Sequence, residues 1–135
     1  TGAVKAVSKA LPELDGKLTG NAIRVPTPNV SLAVMSLTVE KNNLKKEDVN
    51  EFLRKTAFNS KYREIIGFVN SPEIVSSDFY SSPFASVIDS HATIVSDNKI
   101  TLYCWYDNEY GYSVQVVNLV KNIAGINLIR LPVKV

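Results

Sequence analysis

One cysteine, Cys104, and one histidine, His91, are all that the chain has of either residue. A lone cysteine excludes an internal disulfide and a cysteine-based metal cluster, and a lone histidine excludes a multi-histidine centre, so no metal ligands are assigned. Charge of one sign is also scarce. Fifteen basic residues against 13 acidic ones leave a formal net charge of +2, too little to draw nucleic acid or an anionic membrane. No apolar run approaches the ~20 residues needed to cross a bilayer, and no signal peptide opens the sequence. These features lead us to expect a cytoplasmic protein. No Gly-x-Gly-x-x-Gly run follows a candidate strand, so a dinucleotide-binding fold is not expected here. What remains is ordinary for a globular domain: 135 residues, 45% hydrophobic and 21% charged, enough for one modest core.

The most informative stretch runs from Cys104 to Ser113. The residues before it, 100–106, are β-branched, aromatic and apolar, which suits a buried strand. After it, Val116, Val117, Val120, Ile123 and Ala124 fall on one helical stripe, and Gly125 suits a helix end. Between strand and helix sit Asp107, Asn108, Glu109, Tyr110, Gly111 and Tyr112. Asn108 offers a donor and an acceptor from a fixed place, which is what reading a planar carboxamide requires. The plainer alternative is that Asp107 or Asn108 caps the helix and the tyrosines pack.

Elsewhere the pattern predicts a short helix after Thr1-Gly2-Ala3, stopped by Pro12. Thr1 can cap that helix, and Gly2 lets an anion approach its free backbone amides; a simple cap explains the same residues. Residues 21–25 read as a strand broken by Pro26 and Pro28, and residues 31–40 as a longer strand, apolar on both faces and therefore expected to be central and covered. Arg24 interrupts an otherwise small or apolar run. A buried arginine there needs either a phosphate or an acidic partner. A helix follows, with Val49, Phe52, Leu53, Thr56 and Ala57 as its core stripe and a face of mixed charge in water. Short strands are expected near 65–69, 86–89 and 92–95, with a hairpin turn at Asp97-Asn98. Ser76, Ser77 and Asp78 suit local bonding to backbone. A Ser76–Asp78–His91 triad has only residue inventory in its favour. Cys104, inside a strand, reads as a buried and inert thiol. The order of elements predicts an α+β fold: a mostly antiparallel or mixed sheet with about three helices packed chiefly on one face.

Three stretches also carry a resemblance. Residues 105–113 (WYDNEYGYS), 11–31 (LPELDGKLTGNAIRVPTPNVS) and 75–79 (VSSDF) are similar, in order and spacing, to the C-terminal catalytic part of glyceraldehyde-3-phosphate dehydrogenases. The resemblance implies that residues 1–125 are the C-terminal part of a catalytic domain. It further implies that the dinucleotide-binding domain and the catalytic cysteine and histidine lie before Thr1, so no catalytic residue is assigned here. Residues 126–135 form a tail beyond the usual family end. By resemblance, Thr1, Gly2 and Arg24 bind phosphate of the aldehyde substrate or inorganic phosphate, while Asn108, with Tyr112 nearby, orients the nicotinamide of NAD. NAD and NADP are both open, because the residue that reads the ribose belongs to the other domain. The implied partners are a phosphorylated aldehyde, inorganic phosphate, the rest of the enzyme chain and the other subunits of a homotetramer. The implied parent reaction oxidises the aldehyde through a cysteine thioester and releases an acyl phosphate. Two other functions fit the same residues: a dehydrogenase of another aldose phosphate such as erythrose 4-phosphate, and a non-catalytic assembly or binding domain.

Overall fold

The computed structural model describes residues 2–126. They form three α-helices and a five-stranded mixed sheet, an α+β arrangement. The strands are β1 (Ser31–Thr38), β2 (Ile66–Val69), β3 (Ser86–Asp89), β4 (Ile94–Ser96) and β5 (Lys99–Tyr106). The helices are α1 (Gly2–Ala10), α2 (Lys46–Asn59) and α3 (Tyr110–Ile123), with 3₁₀ turns at Pro12–Leu14 and Ser76–Phe79. No helix among the described residues is long and apolar enough to cross a membrane.

The longest strand, β5, organises the sheet. Its whole length pairs antiparallel with β1, from Ser31 opposite Tyr106 to Thr38 opposite Lys99. On its other side, β4 pairs with its first half and β3 with its second. Beyond β3 lies β2, parallel to it. Alternation along β5 puts Ile100, Leu102 and Cys104 in the core, where they pack with Val49 and Leu53 of α2, Ile88 of β3, and Ile66 and Phe68 of β2. The β4–β5 hairpin turns at Asp97-Asn98 as expected, with Asp97 at φ 55°, a conformation that aspartate tolerates better than most residues. Asp97 also accepts the Asn43 amide (2.8 Å) and Asn98 donates to the Val39 carbonyl (3.2 Å), which ties the loop before α2 to the hairpin.

A second apolar cluster lies nearer the β5 C-terminus: Val30, Phe79 and Val87, with Trp105, Ile74 and Phe84 packed against them. The Phe79 and Trp105 rings stack at 5.4 Å and 10°. Trp105 Nε1 donates to Asp89 Oδ2 (3.4 Å), giving the half-buried indole its polar partner. The Ser76–Phe79 turn is held locally, by the Val75 amide donating to Asp78 (2.8 Å).

Four expectations are corrected. Residues 21–25 are not a strand; they lie in an exposed irregular segment. Prolines at 26 and 28 remove donors, and no neighbouring strand pairs with the segment among the described residues. Strand β1 is not central: it ends the sheet, and Leu32, Val34, Met35 and Leu37 are all exposed. Phe52 is not in the core; Val49 and Ala57 are the buried residues of α2, and Phe52 faces outward at 68% exposure. The apolar stripe of α3 is likewise exposed at Val116, Val117, Val120 and Ile123. The helix is anchored at its start instead. A Cβ added at Gly111 would sit 2.6 Å from the Phe84 carbonyl oxygen, and Gln115 donates to the Glu64 and Pro83 carbonyls at 3.3 and 3.0 Å. The helix stops where the sequence predicts, with Gly125 at φ 69° and the Ile126 amide reaching back to the Lys121 carbonyl (2.9 Å).

Candidate functional site at the β5–α3 junction

The chain leaves β5 at Tyr106 and enters α3 four residues later. Between them, Asp107 is buried at 3% exposure and Asn108 is exposed. Asp107 is the cap. Its Oδ1 accepts the amides of Glu109 (2.9 Å) and Tyr110 (2.8 Å), two donors that a helix start leaves without partners. Its Oδ2 accepts the Ser81 amide (2.9 Å), and the nearby Asn29 side chain also favours the ionised carboxylate. Burial would push this carboxyl up. The bonds from Tyr110, Asn29, Glu109 and Ser81 outweigh that effect and lower it from 3.8 to about 2, so it is ionised at neutral pH.

Because Asp107 does the capping, Asn108 is released from that duty. Its Oδ1 instead accepts a hydrogen bond from the Ser31 hydroxyl at 2.7 Å. Ser31 opens β1 and lies opposite Tyr106, two residues before Asn108. That bond engages one lone pair of the amide oxygen and leaves its second lone pair and both N–H donors for a ligand. The residue before Ser31, Val30, is buried at φ 71°, an outlier for a β-branched side chain. Tyr112, in the first turn of α3, is 70% exposed, so its ring is accessible and not packed.

The other residues singled out in the sequence stand apart. Arg24 is exposed in the irregular segment, seven residues before Ser31, and the buried setting expected for it is not found. It makes no ion pair among the described residues, whose ion pairs join Glu51 to Arg54 and Lys55. Gly2 opens α1 and is exposed, with nothing within 4 Å of the place a Cβ would take. Thr1 lies outside the described residues. An open cleft of about 470 Å³ between α1 and the turn after the first 3₁₀ segment is lined by Val4, Lys5, Ser8, Lys9, Asp15 and Leu18. It includes none of Gly2, Arg24, Asn108 and Tyr112. The structure therefore joins Asn108 to Ser31, and no hydrogen bond joins Asn108 to Arg24 or Gly2 among the described residues.

His91 is exposed and its carbonyl accepts from Lys46 Nζ (2.8 Å). Cys104 is 3% exposed; burial pushes its thiol up, outweighing a hydrogen bond from Ser86 that acts the other way. A buried thiol shifted in that direction is a poor nucleophile. Sequence reasoning missed Ser31 as the partner of Asn108, and Asn29 and Ser81 as partners of Asp107. The Asp-Asn pair before a helix was a visible signal for a cap, but it did not say which residue caps and which is left free.

The sequence matches the family described as glyceraldehyde 3-phosphate dehydrogenase, C-terminal domain, over residues 1–108. It is 55% identical over 127 residues to a glyceraldehyde-3-phosphate dehydrogenase-like protein of Pseudomonas aeruginosa, covering 94% of this chain and 27% of that protein. It is 46% identical over 125 residues to glyceraldehyde-3-phosphate dehydrogenase 3 of Saccharomyces cerevisiae, covering 92% and 37%. A chloroplastic glyceraldehyde-3-phosphate dehydrogenase of Arabidopsis thaliana is 49% identical over 125 residues, covering 92% and 28%. The chain thus spans roughly a third of the length of the curated relatives it matches. With residues 1–108 matched and an α+β fold that agrees, this chain belongs to the family of glyceraldehyde 3-phosphate dehydrogenase C-terminal domains.

Proposed function

We propose that the chain acts as the C-terminal part of the catalytic domain, residues 1–125, in a phosphorylating glyceraldehyde-3-phosphate dehydrogenase of the cytoplasm that uses NAD or NADP. The dehydrogenase relatives support the activity; the chloroplastic one belongs to another compartment. In this reading the nicotinamide, when bound, accepts the hydride, and this chain's task is to hold its carboxamide. The observation that carries the reading is Asn108: an exposed amide at the end of β5, freed from capping by Asp107 and held at its oxygen by Ser31. A planar carboxamide is the natural complement of such a group, since each presents one acceptor and two donors. Tyr112, exposed one turn on, offers a face for the ring.

Thr1, Gly2 and Arg24 supply the phosphate contacts in the proposal. Arg24 is exposed and without an ion-pair partner among the described residues, so its guanidinium fork is available to a phosphorylated aldehyde or inorganic phosphate. Anchoring the phosphate holds the aldehyde within reach of a nucleophile on the rest of the enzyme chain. The exposed faces of β1 and the exposed stripe of α3 are surfaces on which that remaining chain, and neighbouring subunits of a homotetramer, would pack.

Asn108→Ala in the complete enzyme tests the reading. Orientation of the cofactor predicts a slower single-turnover hydride transfer with little change in melting temperature. If acceptance is the main role of the amide, Asn108→Asp should retain more activity than the alanine variant. A lowered melting temperature with an unchanged transfer rate would remove Asn108 from the cofactor site.

A further inference from the structure

An exposed asparagine at a strand end ordinarily samples several rotamers, and a ligand that uses it must first order it. Asn108 is constrained twice. Its backbone is fixed by the preceding residue, whose carboxylate binds the Glu109, Tyr110 and Ser81 amides. Its side chain is fixed by Ser31 Oγ at 2.7 Å. One short segment serves both residues: Asn29 favours the ionised form of Asp107, and Ser31 bonds Asn108. Between those two residues the chain passes through Val30 at φ 71°, held there by packing against Phe79 and Val87. A buried β-branched residue in the left-handed region survives only where its surroundings over-determine it. Here it redirects the chain from the Pro26–Pro28 loop into β1 and delivers a hydroxyl to the amide oxygen.

Resting on the assignment of Asn108 to the cofactor, we propose that Ser31 is a positioning residue for hydride transfer. Its hydroxyl selects one orientation of the Asn108 carboxamide, with the oxygen turned to β1 and the N–H donors turned to the ligand. In the structure the hydroxyl donates to Oδ1, so the oxygen is the atom held against β1 and the N–H₂ is left outward. The amide would then present donors to the carbonyl oxygen of the nicotinamide carboxamide and its remaining lone pair to the N–H₂. A flipped or rotating amide would satisfy neither reliably, and the cofactor ring could turn over in its site.

The test is a double-mutant cycle in the complete enzyme with Ser31→Ala, Asn108→Ala and both together. The readouts are single-turnover hydride transfer, melting temperature, and stereospecificity at the nicotinamide C4 followed with a deuterated aldehyde. Ser31→Ala should slow transfer about five- to tenfold, the worth of one ordinary hydrogen bond, and should lower stereospecificity, while KM for the aldehyde and the melting temperature stay near the parent values. In the Asn108→Ala background the same change should have no further effect. Ser31→Thr, which keeps the hydroxyl, should recover most of the rate. A parental rate and stereospecificity in Ser31→Ala, beside a slowed Asn108→Ala, would overturn the role of Ser31 and leave the cofactor assignment standing. Equal losses from Ser31→Ala with and without Asn108 would also overturn it. A parental transfer rate in Asn108→Ala would overturn the assignment on which this inference rests, and the inference with it.

Discussion

Asp107→Asn changes almost no volume and should still be costly. The carboxylate uses both oxygens: one for the Glu109 and Tyr110 amides, the other for the Ser81 amide. An asparagine has one acceptor oxygen. If that oxygen keeps the helix amides, its NH₂ faces the Ser81 N–H, donor against donor. If it turns to Ser81, the start of α3 loses its cap. Either way at least one charge-assisted hydrogen bond is lost, about 1.5–3 kcal/mol, and the survivors lose their ionic character. Equilibrium denaturation of the complete enzyme and of the variant, repeated across pH, measures this. The pH dependence gives an independent readout. Asp107 is lowered to about 2 in the fold from an ordinary 3.8, so its contribution is fully present above pH 4. That contribution is lost as the pH falls from about 4 towards 2, where the folded-state carboxyl takes up its proton. The stability gap between parent and variant should therefore be widest at neutral pH and close in acid. A gap below about 0.5 kcal/mol at pH 7, the range of an inconsequential surface change, would refute this account of the junction. So would a gap that does not shrink towards pH 2.

Gly111→Ala should lower the melting temperature, since its Cβ would stand 2.6 Å from the Phe84 carbonyl oxygen; relieving that clash costs about 1–3 kcal/mol, and an unchanged melt would show that α3 can shift freely. Arg24→Leu in the complete enzyme should reduce kcat/KM for the phosphorylated aldehyde by about one to two decades while leaving cofactor affinity near parental, with Arg24→Lys recovering part; equal efficiency in the leucine variant would make Arg24 a solvent-facing residue only. The 135-residue chain alone should form no NADH in a coupled aldehyde assay, because its one thiol is buried and its one imidazole lies elsewhere on the surface; turnover abolished by Cys104→Ser would show that Cys104 is the nucleophile after all.

Much of the local structure was legible because its causes are local. The Asp97-Asn98 turn, the stop at Gly125 and the burial of Cys104 follow from backbone tolerance and strand alternation over a few residues. Burial of whole elements was less legible, because it depends on what lies across from them. The residues of β1 read as doubly covered, yet the strand closes the sheet and is exposed on both sides. Within the α2 stripe, Val49, Leu53 and Ala57 meet the sheet while Phe52 does not, and the α3 stripe at Val116, Val117, Val120 and Ile123 has helical spacing but is exposed among the described residues. At the site, residue type nominated Asn108, but its partner Ser31 is 77 residues away. No periodicity encodes that pairing; it arises only once β1 and β5 align in their observed register.

Strand β1 has a consequence for how the chain behaves in isolation. Its outer edge, Ser-Leu-Ala-Val-Met-Ser-Leu-Thr, carries no charge, no proline and no glycine over eight residues. Its backbone N–H and C=O groups along that edge have no strand partner among the described residues. Such a neutral, apolar edge lacks the gatekeepers by which edge strands ordinarily resist stacking on one another. Where that edge is left uncovered, its free N–H and C=O groups are available to pair with the same strand of another copy. A lysine placed at Val34, one of the most exposed positions of the strand, would be the economical way to keep the isolated chain monomeric.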